Sequence, residues 1–435
     1  MTMQRRPADS LDASQTAMAE GLAGNALEWL LNTARTTDAG LVWGSTATDD
    51  EVDPFLYSGA AGIVLALLEA QHHFGDDRYG DAAQRGARAI AAAVDRDKDC
   101  SLYFGVTGIA FALHAVGTLL NDASAATAAR SALRHVRSRF DGQRWGDMFE
   151  LLAGNAGIGL GALSCGDHDL AILAVEPYLR SADPTPGGVN WAVRPSPPRS
   201  HHLAHGTLGI VVALASIGIA TDRRDLIDLA LAGAADVVAR DEAGPDGFLV
   251  PHSDPQHRPD LIERYSYGWC NGPAGDAQAF RLLGAITDDP TWAALADRCW
   301  HTITQSGLPR RISPGFWDNN GSCCGTAGVL ALACDRHVER REQSGFGAGL
   351  VDDLAARAIT DARGVCWSNH EHRATPSVLE PRTGWAMGNA GIIRELLRFS
   401  RISSGRDPAY ATAWPGHPIA RPVTDFTDHE SAETG

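Results

Sequence analysis

Cys323-Cys324-Gly325-Thr326-Ala327-Gly328, followed by the apolar run Val329 to Ala333, is one copy of a unit that recurs along the chain. The others are Gly59-Ala60-Ala61-Gly62, Gly105-Val106-Thr107-Gly108, Gly154-Asn155-Ala156-Gly157, Gly206-Thr207-Leu208-Gly209, Gly272-Pro273-Ala274-Gly275 and Gly388-Asn389-Ala390-Gly391. Each of the seven opens an apolar or helical segment. Longer amphipathic stretches with charged faces lie between them: Ser14 to Arg35, Tyr79 to Val94, Ala123 to Phe140, His168 to Arg180, Arg223 to Arg240, Pro290 to Ser306, and Asp335 to Thr360 with a break near Gly345 to Gly349. An inner apolar helix alternating with an outer amphipathic one, repeated around a ring, is the pattern of an all-α protein. The expectation is an α/α toroid of seven inner and seven outer helices, built as one unit because each pair needs its neighbours to bury its face. That unit takes residues 14–402, after a flexible lead over 1–13 and before a loosely attached, proline-rich tail over 403–435.

Composition limits the function classes. Among 435 residues, 44% are hydrophobic and 46 are glycine, which suits close-packed helices with glycine junctions. The formal net charge of -16 repels a phosphate backbone, so no nucleic-acid partner is expected. No uninterrupted apolar stretch reaches the length of a membrane span, and the polar start Met1 to Ser14 has no apolar core of a signal peptide. A reducing, cytoplasmic setting is the default. The eight cysteines show no secretory spacing, and Cys100, Cys165, Cys299, Cys334 and Cys366 are scattered.

The chemistry gathers at the junctions. A vicinal pair such as Cys323-Cys324 seldom bridges to itself without strain, which makes metal ligation the first idea to test. Cys270, in Trp269-Cys270-Asn271-Gly272, stands before another Gly-x-x-Gly. Three soft thiolates at equivalent places in two repeats suit one Zn²⁺, whose catalytic sites take three protein ligands and keep a fourth position open. His205, in His201-His202-Leu203-Ala204-His205-Gly206, is the fourth reactive side chain beside a junction. Long loops at Ser181 to Arg199, Asp241 to Arg264 and Cys366 to Thr383 are placed to build the mouth of a site.

Seven junctions together with Trp269-Cys270-x-Gly272, Cys323-Cys324-Gly325 and Ala204-His205-Gly206 resemble the lanthionine synthetase C-like family, the zinc-dependent cyclases of lanthipeptide biosynthesis. The likeness runs from about Ala17 to Ser400. Many members carry Cys-His-Gly at the second cysteine motif; with Cys324 in the histidine place, this chain resembles the Cys-Cys-Gly subgroup. The resemblance implies Cys270, Cys323 and Cys324 as zinc ligands and His205 as the active-site acid or base. It also implies a carboxylate before the third junction, where Glu150 takes the usual aspartate place and Asp147 lies one turn earlier.

What the resemblance implies about activity is thioether ring closure. A substrate cysteine attacks dehydroalanine or dehydrobutyrine in the same dehydrated precursor peptide. The chain is too short to hold a dehydratase as well, so a separate dehydratase, or kinase and lyase, is an expected partner. The alternatives are glutathione addition to dehydroamino acids and a glutathione- or peptide-binding module with structural zinc. A glycosidase would need two opposed carboxylates, and Asp147 and Glu150 are too close in sequence to flank a sugar.

Overall fold

The second glycine of each Gly-x-x-Gly has no room for a side chain. A Cβ there would meet the carbonyl oxygen six residues earlier: Leu102 for Gly108, Leu151 for Gly157, Trp269 for Gly275, Ser322 for Gly328. That close approach folds the chain back immediately before a helix starts. The computed structural model describes residues 13–311, 319–341, 345–370 and 377–420. Within them a helix begins at the second residue of every junction: α2 (Ala60–Phe74), α4 (Val106–Leu119), α6 (Asn155–Ser164), α8 (Thr207–Ala220), α10 (Pro273–Thr287), α12 (Thr326–Arg340) and α14 (Asn389–Ser403). In all seven the first glycine is the N-cap in extended geometry.

Between these run α1 (Ala13–Thr33), α3 (Asp77–Ala91), α5 (Ala123–Ser138), α7 (His168–Ser181), α9 (Arg224–Val238), α11 (Pro290–Gln305) and α13 (Gly345–Arg357). Asp76, Asp122, Asp167 and Asp289 cap four of them, each side chain accepting a first-turn N–H. The fold is essentially all-α, with fourteen α-helices and no closed β-sheet among the described residues. The stretch Asp335 to Thr360, read from the sequence as one interrupted outer helix, is divided differently. Its first residues complete α12, because the buried face that began at Thr326 continues through Cys334 and Asp335.

Consecutive helices pair, and the even-numbered helices also pack on one another in order: α2 on α4, α4 on α6, α6 on α8, α8 on α10, α10 on α12, α12 on α14 and α14 back on α2. A backbone ladder follows the same path. The residue two places before each junction donates its N–H to the carbonyl of its counterpart in the next: Tyr57 to Tyr103, Tyr103 to Leu152, Ala204 to Cys270, Cys270 to Cys323, Cys323 to Ala386, and Ala386 to Tyr57, at 2.9–3.1 Å. Between Leu152 and Ala204 the link is replaced: the Leu152 N–H donates to the Glu150 carboxylate at 2.7 Å.

Three of the odd-numbered helices, α1, α7 and α13, are followed by the same device. Antiparallel hairpins β1 (Arg35–Thr37) with β2 (Gly40–Val42), β3 (Asp183–Thr185) with β4 (Gly188–Asn190), and β7 (Ile359–Asp361) with β8 (Gly364–Cys366) each lead to a fully buried tryptophan. The indole N–H of Trp43, Trp191 and Trp367 donates to a carbonyl of the preceding helix, at Leu30, Tyr178 and Leu354. Gly40, Gly188 and Gly364 adopt φ of 137, 154 and 140°, and a Cβ on any of them would strike the backbone of the helix it covers, α3, α9 or α1. A fourth pair, β5 (Arg199–Ser200) with β6 (Ser253–Asp254), ties two of the long loops together.

The sequence assigns 403–435 to a loose tail, yet in its described part Trp414 and Pro415 are buried against the body of the fold. Trp414 is 5% exposed, stacks on Trp385 at 4.5 Å between ring centroids, and donates its indole N–H to the Tyr103 hydroxyl at 2.8 Å. His417 Nε2 lies 2.9 Å from Asp335, whose carboxylate also accepts from Arg281 at 2.6 Å and Arg398 at 2.7 Å. These arginines hold the Asp335 carboxyl well below the usual range although burial opposes them. Residues 1–12 and 421–435, with most of the expected lead and the acidic finish, lie outside the described residues. Among the described residues no helix is long and apolar enough to cross a membrane.

Candidate metal centre

Position relative to the junction decides what a residue can do. Two places before the first glycine stand the ladder residues, most of them buried. One place before stand Ser58, Phe104, Ala153, His205, Asn271, Cys324 and Met387, and all but Asn271 are partly exposed. The first set holds the circuit together; the second lines its rim. Cys270 and Cys323 are ladder residues of adjacent junctions, so the N–H of Cys270 on the carbonyl of Cys323 sets them side by side at 3.0 Å. Cys324 follows Cys323 onto the rim.

The three sulfurs all lie within 4.8 Å of one another. Cys270 Sγ is 3.4 Å from Cys324 Sγ, which is 3.5 Å from Cys323 Sγ, and all three cysteines are free. Tetrahedral ligation with Zn–S bonds of about 2.3 Å places sulfurs about 3.8 Å apart, so the trio fits one ion of that size. Among the described residues no fourth Cys, His, Asp or Glu joins the group. Hydrogen bonds from Cys270 and Cys324 hold the Cys323 thiol well below its ordinary value, and the same contacts push the other two well above. A cation inverts that balance by favouring thiolate at all three.

The remaining cysteines do none of this. Burial pushes Cys165 and Cys334 up to about 12 and Cys100 and Cys366 up to about 11, so they stay thiols. The thiol of Cys299 is raised as well, by the same cause.

His205 occupies the rim at the fourth junction, the place Cys324 takes at the sixth. Its side chain is 32% exposed, and Nδ1 lies 3.6 Å from Oε2 of the fully buried Glu150. Glu150 also accepts the N–H of Leu152 at 2.7 Å and of Ala153 at 2.9 Å, so the carboxylate that fills the gap in the ladder is the one that faces the imidazole. Burial draws the His205 imidazolium down, but the adjacent Glu150 carboxylate outweighs it and leaves the group raised, with Cys323 adding to the effect. Asp147 lies exposed on the loop before Glu150. The structure therefore brings together Cys270, Cys323 and Cys324, sets His205 beside Glu150, and leaves Asp147 at the surface.

Three features escape the sequence. His201, spaced as if paired with His205 on a helix, lies outside any helix, and burial pulls it down to about 3. His202 is fully buried and its Nδ1 pairs with the buried Asp276 of α10 at 2.9 Å. Tyr57, the ladder residue of the first junction, has its hydroxyl 3.5 Å from Cys323 Sγ. Its place two residues before a Gly-x-x-Gly was the available signal.

Comparison with known proteins agrees with this geometry. The family model described as lanthionine synthetase C-like protein matches residues 50–250 and 254–346. Among solved structures, nisin cyclase superposes with a TM-score of 0.62 at 16% identity, covering 89% of this chain and 97% of that one. A variant α-1,6-mannanase of Salegentibacter sp. HEL1_6 gives a TM-score of 0.50 at 11% identity, over 88% of this chain and 99% of that one. At such identities these likenesses concern the fold alone. A search of curated proteins finds no match.

Proposed function

The chain belongs to the lanthionine synthetase C-like family, and on that premise we propose that it is a zinc-dependent peptide cyclase that forms lanthionine or methyllanthionine rings. The observation that carries this reading is the trio of sulfurs within 4.8 Å, with no fourth protein ligand among the described residues, on the same rim as His205. We read the fourteen helices as seven inner and seven outer helices of an α/α toroid over residues 14–402, a reading supported by the even-numbered helices packing in a closed order. Cys270, Cys323 and Cys324 are the proposed ligands of one Zn²⁺. Bound there, zinc supplies a position at which a substrate thiol ionises at neutral pH.

The protein's own residues do the rest. Backbone pairing sets Cys270 and Cys323 side by side, which brings two of the three ligand-bearing residues together. The substrate sulfur forms a bond to the β-carbon of a dehydroamino acid in the same peptide. The Cα–Cβ π bond breaks, its electrons pass onto the neighbouring carbonyl as an enolate, and the α-carbon then takes a proton. His205 is the proposed donor of that proton, and Glu150 holds the ring and favours its protonated form. The substrate is a precursor peptide dehydrated beforehand by a separate enzyme. A glycosidase-like reading gains nothing from the site, since one candidate carboxylate is spent on backbone N–H groups and the other is at the surface.

The test is to incubate the purified protein with a dehydrated precursor peptide and count free thiols by alkylation and mass spectrometry. Loss of alkylatable thiol without change of peptide mass is expected. Unchanged thiols, or a mass gain only when glutathione is present, overturns the cyclase reading.

A further inference from the structure

Tyr57 is the counterpart, at the first junction, of Cys270 and Cys323. In the circuit a single residue separates it from Cys323. The Cys323 N–H donates to the Ala386 carbonyl at 2.9 Å, and the Ala386 N–H donates to the Tyr57 carbonyl at 2.9 Å. Ala386 is fully buried and brings only a methyl group between its neighbours. A long side chain one place further round can therefore reach back, and the phenol oxygen of Tyr57 lies 3.5 Å from Cys323 Sγ. The ring is held by Phe104, with centroids 4.9 Å apart, and by the edge of Tyr103 at 6.5 Å. Among the described residues Cys324 has no such donor, its hydrogen-bond contacts being the other two sulfurs.

We propose that Tyr57 is a positioning residue of the metal centre, its phenol donating a hydrogen bond to the Cys323 sulfur that orients this ligand and draws charge from it. This rests on the reading of the three sulfurs as one metal site. Its consequence concerns the substrate. Three thiolates already outweigh the charge of a divalent ion, and a fourth, from the peptide, adds further repulsion. A hydrogen bond to one resident sulfur offsets part of that charge, leaving Cys324 and the incoming thiolate as the electron-rich sulfurs on the exposed side. Partners of metal ligands outside the ligand set commonly change affinity by about 10–100-fold when removed.

The experiment uses the full-length protein loaded with Co²⁺ in place of Zn²⁺, comparing the natural chain with Tyr57→Phe. The phenylalanine keeps the ring against Phe104 and removes only the hydroxyl. The sulfur-to-cobalt charge-transfer band is expected to move to lower energy, since a sulfur that has lost its hydrogen bond gives up charge more readily. Metal retention against a chelator should fall about tenfold or more. A Phe104→Leu variant, which loosens the packing but keeps the hydroxyl, should leave the band in place. A Tyr57→Phe band and chelator competition indistinguishable from the natural chain overturn the proposal while leaving the metal site standing. A natural chain that takes up no cobalt overturns the metal reading itself.

Discussion

Glu150 sits where the backbone ladder breaks: its carboxylate accepts the Leu152 N–H at 2.7 Å and faces His205 Nδ1 at 3.6 Å. The six other junctions bond directly to their neighbours. At this one, a side chain takes over the hydrogen bond and in doing so brings a buried negative charge to the rim. The break and the pairing of Glu150 with His205 are the same structural event.

The pH behaviour of His205 follows from that pair. Its native value is raised, so the stabilisation it gains from Glu150 is fully present below the ordinary imidazole value near 6.5 and is lost as pH rises through the raised native value. Glu150→Gln removes the charge while keeping an acceptor oxygen for one of the two N–H groups. The midpoint of His205, followed by NMR of its ring protons, should move down. His205→Asn should slow ring closure by about 10²–10⁴-fold with metal content unchanged. Loss of metal in that variant would assign the histidine to the ligand set instead.

Removing one sulfur tests the centre itself. Cys270→Ala leaves the vicinal pair alone, and two ligands hold zinc far more weakly than three. Metal analysis after dialysis should show bound zinc falling from one ion per chain to a small fraction of that. Thermal unfolding should stay cooperative, because the ladder at this point is made by backbone atoms.

Cys324→His exchanges a thiolate for a neutral ligand and takes one negative charge from the centre. Zinc should be retained and ring closure slowed, since the bound substrate sulfur becomes less electron-rich. An unchanged rate, measured by single-turnover thiol counting, would show that the third thiolate does not set reactivity.

The burial of Trp414 predicts a stability effect remote from the sulfurs. Trp414→Ala empties a site between Trp385, Tyr103 and Phe111 and should cost about 3–5 kcal/mol, read from denaturant unfolding. Asp335 adds a pH dependence. Its native value is depressed, so its contribution is present above the ordinary carboxylate value near 4 and is lost as pH falls through the depressed one. Asp335→Asn should be destabilised at neutral pH and lose less on acidification than the natural chain.

Much of this molecule was legible because a glycine leaves a trace. Gly108, Gly157 and Gly275 each have a carbonyl where a Cβ would sit, and no other residue fits without displacing backbone. Repetition of that requirement announced the helices, and counting back from each junction located Cys270, Cys323, Cys324 and His205. The hairpins before Trp43, Trp191 and Trp367 also repeat in the sequence, as a glycine three residues ahead of a tryptophan, but three-residue strands are too short for a period to show. Trp414 stayed hidden in a proline-rich segment, since polar and irregular composition carries no mark of what it packs against.

The sequence by itself determined the repeat, the helical class and the placing of thiols beside two junctions, because these depend on local chain geometry and on side-chain chemistry. Only the tertiary structure decided that the junctions meet in a circuit, that Glu150 rather than Asp147 faces the imidazole, that Tyr57 reaches Cys323, and that Trp414 is buried against Trp385 and Tyr103. Those are distances between residues from different repeats, set by how helices close on one another, and no local pattern encodes them.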